Sequence, residues 1–145
     1  ASSVERLIQR LTGDPINIPK TYVDNLNLAI IMAAVKLPSG LIGRRVTSIN
    51  EIIGYDAGTN SYAFIEVFKW DPATDTFEYP GYMNTQLLEG VVSIKKGIPP
   101  HESQSIYGEL EDRAHILRQL HKKEVTDFYE LHQFLCRAYR EGYLR

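Results

Sequence analysis

YDAGTNSY, running from Tyr55 to Tyr62, and WDPATDTF, from Trp70 to Phe77, decide the fold of this chain, because the second repeats the first fifteen residues later. Each reads aromatic, Asp, two turn formers, Thr, Asn or Asp, a hydroxyl residue, aromatic. Such a pattern is either a pair of acidic sites or two copies of one turn. An EF-hand loop needs ligands at positions one, three and five and a glycine at six. Starting from Asp71, position three is Ala73, position seven is Phe77, and Pro72 stiffens the beginning. Asp before Pro, followed by Thr and Asp, is instead what a type I turn asks for, with Asp accepting from later backbone amides. Asp56, Thr59, Asp71, Thr74 and Asp75 are therefore read as turn residues rather than as a metal site.

The two turns bracket SYAFIEVFKW, rich in aromatic and β-branched residues, which makes a strand. Upstream, RRVTSINEIIGY is a second strand, separated by LPSGLIG from LAIIMAAVKL. That last run is continuous rather than alternating and only strand length, so it is expected to be buried on both faces. Downstream, TFEYPG is a short strand stopped by Pro80 and Gly81. Four strands joined by short turns form an antiparallel meander.

Helices flank the strands. ASSVERLIQRL opens with a capping-box pattern in which Ser2 accepts at Glu5, and Val4, Leu7, Ile8 and Leu11 share one face. A chain that begins at a helix cap suggests a piece of a longer polypeptide. Gly13, Pro15 and Pro19 stop the helix, and a helical turn is expected around Lys20 to Asn25. After Met83 the period changes. NTQLLEGVVSIKK has helical spacing, HESQSIYGELEDRAHILRQLHKK carries a stripe of Ile106, Leu110, Ala114, Leu117 and His121, and Thr126 or Asp127 caps a last helix with Phe128, Leu131, Leu135, Ala138 and Tyr139 on its apolar face. The expected architecture is α+β: an N-terminal helix, a four-stranded, mainly antiparallel meander, and a C-terminal three-helix bundle. The expected division is 1–82 for helix and strands, and 83–145 for the bundle.

Bulk properties exclude several functions. At 145 residues the chain is the size of one domain. A hydrophobic content of 43% with 23% charged residues is ordinary for a folded protein. A net charge of -2 leaves no electrostatic footprint for nucleic acid. The single cysteine, Cys136, fits a reducing, cytoplasmic compartment. The longest apolar run is far shorter than a membrane span, so no direct membrane insertion is expected.

No chemical motif stands out. His132 and Cys136 have the i, i+4 spacing of a metal pair, but two ligands without a second pair make a weak site, and a core-edge histidine beside a buried cysteine is the plainer reading. There is no GxxxxGK followed by Ser or Thr to cradle phosphates. LPSGLIGRR joins two strands and so offers no helix N-terminus to an anion. Arg44 and Arg45 could touch an anion from a neighbouring loop or subunit; solvated turn arginines are the simpler alternative. No metal, cofactor or catalytic residue is expected in this chain.

Taken together, ASSVERLIQRLTGDPINIPKTYVDNLNLAIIMAAVK, GRRVTSINEIIGYD and VFKWDPATDTFEY resemble the C-terminal end of archaeal secretion ATPases of the type II and type IV pilus class, including the motor ATPase of the archaeal flagellum. The resemblance covers essentially all of the chain, and TDFYELHQFL with AYREGY is similar to the family's C-terminal bundle. It implies a RecA-like hexameric motor that uses ATP and magnesium in the intact protein. The expected location is the cytoplasm, peripheral to the inner face of the membrane. Its expected partners are other copies in a ring and a membrane platform protein. Ala1, Ser2 and Ser3 match the small residues after the family's histidine box; the Walker segments have no counterpart here. Arg44, Arg45 and Glu51 fall in a segment shared across the class, which implies a nucleotide-adjacent or subunit-interface role. Two readings compete with a motor fragment: a free-standing, non-enzymatic protein-interaction module derived from such an ATPase, and a metal hydrolase built on His132, Cys136 and the turn aspartates.

Overall fold

A computed structural model describes residues 2–143; Ala1 lies outside them. The chain divides into two compact units, Ala1–Ser103 and Gln104–Arg145. In the first, helix α1 (Val4–Thr12) is followed by a 3₁₀ turn (Lys20–Asn25) and strands β1 (Leu28–Lys36), β2 (Ile42–Asp56), β3 (Ser61–Asp71) and β4 (Thr76–Glu78). The strands form one antiparallel sheet in the order β1-β2-β3-β4. The meander follows from the short turns, which leave each strand no neighbour but the next.

One face of the sheet holds the core. Val4 and Ile8 of α1 and Val23 of the 3₁₀ turn pack with Ala29 and Ile52, and Leu7, Leu26, Tyr62 and Phe64 close around them. The apolar spacing of α1 thus does what its sequence indicates. Its cap differs by one residue: Ser3, not Ser2, accepts from the Arg6 amide at 3.3 Å. An N-cap serves the amide three residues on, and the first helical residue is Val4, so Ser3 is the residue in place.

β1 departs from expectation. Instead of being buried on both faces it alternates, with Ala29 and Ile31 buried and Ile30 and Met32 57% and 62% exposed. Only the face turned to α1 is covered. β1 is also an edge strand, and among the described residues its backbone groups away from β2 have no strand opposite them.

After β4 the chain folds back over β3. The Gly81 amide donates to the Val67 carbonyl at 3.1 Å, and a Cβ at Gly81 would lie 2.7 Å from Val67 Cβ, so only glycine permits this approach. Tyr79 stacks on Phe68 with ring centroids 3.9 Å apart. Helix α2 follows, six residues of π-helix (Leu87–Val92) continuing into an α-helical turn (Ser93–Lys95). It belongs to the sheet unit, so the division falls after Ser103 rather than after residue 82.

The second unit contains α3 (Ile106–Lys122) and α4 (Phe128–Arg140). Asp127 caps α4, accepting from the Glu130 amide at 2.9 Å. Two expected stripes shift. On α3 the buried residues are Ile106, Tyr107 and Leu120, while Leu117 is exposed. On α4 Ala138 is buried with Leu131 and Leu135 half-buried, while Phe128 and Tyr139 face outward. Two helices alone cannot cover every apolar residue on each. Among the described residues, no helix is long and apolar enough to cross a membrane.

Candidate functional site

The repeated octapeptides fold identically. Asp56 accepts from the Gly58 amide at 2.9 Å and the Thr59 hydroxyl at 2.7 Å; Asp71 accepts from the Ala73 amide at 3.0 Å and from the Thr74 hydroxyl. Thr59 then meets the Ser61 hydroxyl and Thr74 the Thr76 hydroxyl, each at 2.7 Å. Asn60 and Asp75 both adopt the left-handed conformation, with φ of 50° and 55°, which Asn and Asp tolerate better than other non-glycine residues. The bonds from the Thr hydroxyls, and secondarily from the amides, hold both aspartates below the usual carboxylate range. Their oxygens serve the turn itself, and among the described residues no group of three or more His, Cys, Asp or Glu side chains is placed to hold a metal.

The residue closing each turn ties it to another element. Asn60 accepts from the Tyr55 hydroxyl at 2.8 Å and from Lys20 Nζ at 2.7 Å. Asp75 accepts the Trp70 indole N–H at 2.9 Å and a two-pronged guanidinium bond from Arg45, 2.7 Å on each prong. Arg45, first, and Trp70, second, pull the Asp75 carboxyl down to about 2. Arg45 is thereby occupied inside its own unit, joining β2 to the β3–β4 turn.

Glu51 and Arg44 lie elsewhere. Glu51 pairs with Leu28 and Ile65 on the sheet face opposite the core, and is only 3% exposed. Its Oε2 accepts from the Gln86 and Leu87 amides at 2.9 and 3.4 Å, satisfying donors that the start of α2 leaves unpaired. Thr85 assists by accepting from the Leu88 amide at 3.1 Å. Sequence spacing alone could not reveal this contact, which joins residues 35 apart; the available signal was an acid set among Ile49, Ile52 and Ile53 of β2. Beside Glu51 is a cavity of about 180 Å³ lined by Asp24, Asn27, Glu51, Ile53, Gln86 and Val91, among others. Arg44 is exposed near the opposite end of β2. At about 3.3 Å per residue, roughly 20 Å of strand separates it from Glu51. The sheet does not bring Arg44, Arg45 and Glu51 together.

Of the residues expected to follow a histidine box, Ser3 is the α1 cap, Ser2 is exposed, and Ala1 falls outside the described residues. In the helical unit His132 Nε2 lies 3.6 Å from Cys136 Sγ, and Phe128 stacks on the imidazole.

No family model matches the chain. It is 38% identical over 142 residues to the uncharacterized protein MJ0900 of Methanocaldococcus jannaschii, spanning 98% of this chain and 25% of that protein. To the uncharacterized protein MJ1287 of the same archaeon it is 37% identical over 146 residues, 98% of this chain and 50% of the relative. A third, MJ0781, is 25% identical over 137 residues, covering 94% of this chain and 18% of that protein. The chain thus spans half or less of the length of each of these relatives.

Proposed function

We propose that this chain is the C-terminal, non-catalytic part of a ring-forming ATPase of the archaeal secretion and pilus-assembly class. ATP and magnesium bind upstream of it in the intact protein. The part described here packs between subunits and transmits their rigid-body motion to a membrane platform protein at the cytoplasmic face.

The observation that carries this reading is β1. A strand apolar on both faces, with only one face covered and one edge open, is built to be continued by more protein. Support also comes from the resemblance in EIIGYD and VFKWDPATDTF and from archaeal relatives in which the matching stretch is a fraction of a longer polypeptide. The test is enzymatic. Protein expressed with whatever reading frame precedes Ala1 should hydrolyse ATP with magnesium, and the 145-residue chain should not. Binding of ATP to the short chain in the low micromolar range by calorimetry would overturn the non-catalytic assignment. A gene that starts within a few codons of Ala1 would replace the motor reading with a free-standing interaction module.

A further inference from the structure

The helical unit carries an apolar groove that its own two helices leave open. The groove, about 260 Å³ in volume, is walled by Ile116 and Leu120 of α3 and by Phe134 and Ala138 of α4. Leu120 and Ala138 are buried at its floor, but Phe134 is 41% exposed. A pocket that encloses a whole small molecule measures roughly 300–1,000 Å³, so this one suits the side chains of a larger partner. The unit Gln104–Arg145 is also close to the length, about 40 residues, below which a chain rarely builds a sufficient core alone. Two amphipathic helices bury such a strip when a third lies along it.

The charge around the groove says which kind of helix fits. No carboxylate lines it; its ionisable groups are His115 and Lys123. Earlier on α3 each arginine is matched by an acid, Arg113 by Glu109 at 2.6 Å and Arg118 by Glu111 at 3.2 Å. Lys122 and Lys123, one turn beyond the groove residue Gln119, and Arg137, one turn beyond Phe134, have no carboxylate partner among the described residues. An apolar surface laid over the groove takes water away from Lys123, whose ammonium then needs carboxylates from the incoming side. Helix α1 of this chain cannot supply them: Val4 and Ile8 are occupied in the sheet core, and its exposed flank carries Arg6 and Arg10. A second copy meeting the first groove to groove would bring more cations and no acid.

We propose that the α3–α4 groove is the docking site for an amphipathic helix of another protein, one with an acidic flank. Its apolar residues at i, i+3, i+4 and i+7 enter between Leu120 and Phe134, and its carboxylates meet Lys123 and, beside it, Lys122 and Arg137. The apolar anchors supply the affinity and the cations the preference for acid. The inference takes nothing from the motor reading.

The experiment is fluorescence anisotropy with two labelled peptides of about 18 residues, five helical turns, against the whole 145-residue chain. Both peptides carry leucine at the anchor positions; glutamate flanks the stripe in one and lysine in the other. The expected result is that the glutamate peptide binds about tenfold tighter or more, and that Lys123→Glu abolishes or reverses that ratio. Lys123 caps the end of α3, so Gln119→Glu, exposed on the same groove, provides a second reversal that leaves the cap intact; circular dichroism checks both folds. Equal binding of the two peptides, binding of neither, or a ratio that survives both substitutions overturns the proposal. So does a dimer in sedimentation equilibrium that Gln119→Glu dissolves, which assigns the groove to a second copy. No nucleotide enters the experiment, so its failure leaves the motor assignment standing, and inactivity of the longer protein leaves the groove assignment standing.

Discussion

The two turns are chemically one device used at two strengths. In both, Asp and Thr close the loop, an aromatic residue ahead of the Asp donates to the residue that ends it, and a distant cation joins there. The first uses Tyr55, the neutral Asn60 and a lysine reaching over the Tyr55 ring, 5.9 Å from its centroid. The second uses a buried tryptophan, the ionised Asp75 and a two-pronged arginine. Identical local geometry therefore carries unequal weight, because a lysine is a point charge on a flexible stem while arginine matches a carboxylate along two bonds.

Removing the aromatic residues separates the two copies most. Trp70→Ala deletes a buried indole and should cost about 3–5 kcal/mol in urea unfolding. Tyr55→Ala removes a half-buried ring and should cost clearly less; equal losses would show that the second turn is no stronger. Acid gives the next largest difference. Asp75 has a folded pKa near 2, below its value of about 3.9 in an unfolded chain. Its contribution is present above the unfolded value and lost as pH falls from about 4 toward 2. Asp75→Asn should flatten that limb of a stability profile more than Asp56→Asn does. The smallest effect is a conversion: Asn60→Asp makes the first turn a charged copy of the second. Because the Lys20 contact is exposed, the gain should stay within about 1 kcal/mol and fade in high salt, as thermal melts at two ionic strengths would register.

Periodicity and turn chemistry act over a few residues, and what depends on them could be read directly. The four strands, the meander and the apolar face of α1 follow from local patterns, as does the Asp127 cap. The buried stripes of α3 and α4 do not, since which of several apolar residues is covered depends on the neighbour available. Phe128, 71% exposed, is apolar yet faces outward. Likewise LAIIMAAV reveals that both faces can be buried, not that this unit covers one.

By itself the sequence determined that Asp56 and Asp71 are turn residues, because each meets its partners within three positions. Only the tertiary structure decided what Arg45, Lys20 and Glu51 do. Their partners lie 30, 40 and 35 residues away, and no local spacing encodes a contact that exists only once the sheet has brought its strands and turns together. Tertiary packing gave one member of the Arg44–Arg45 pair an internal carboxylate and left the other exposed, since neighbouring residues on a strand point to opposite faces.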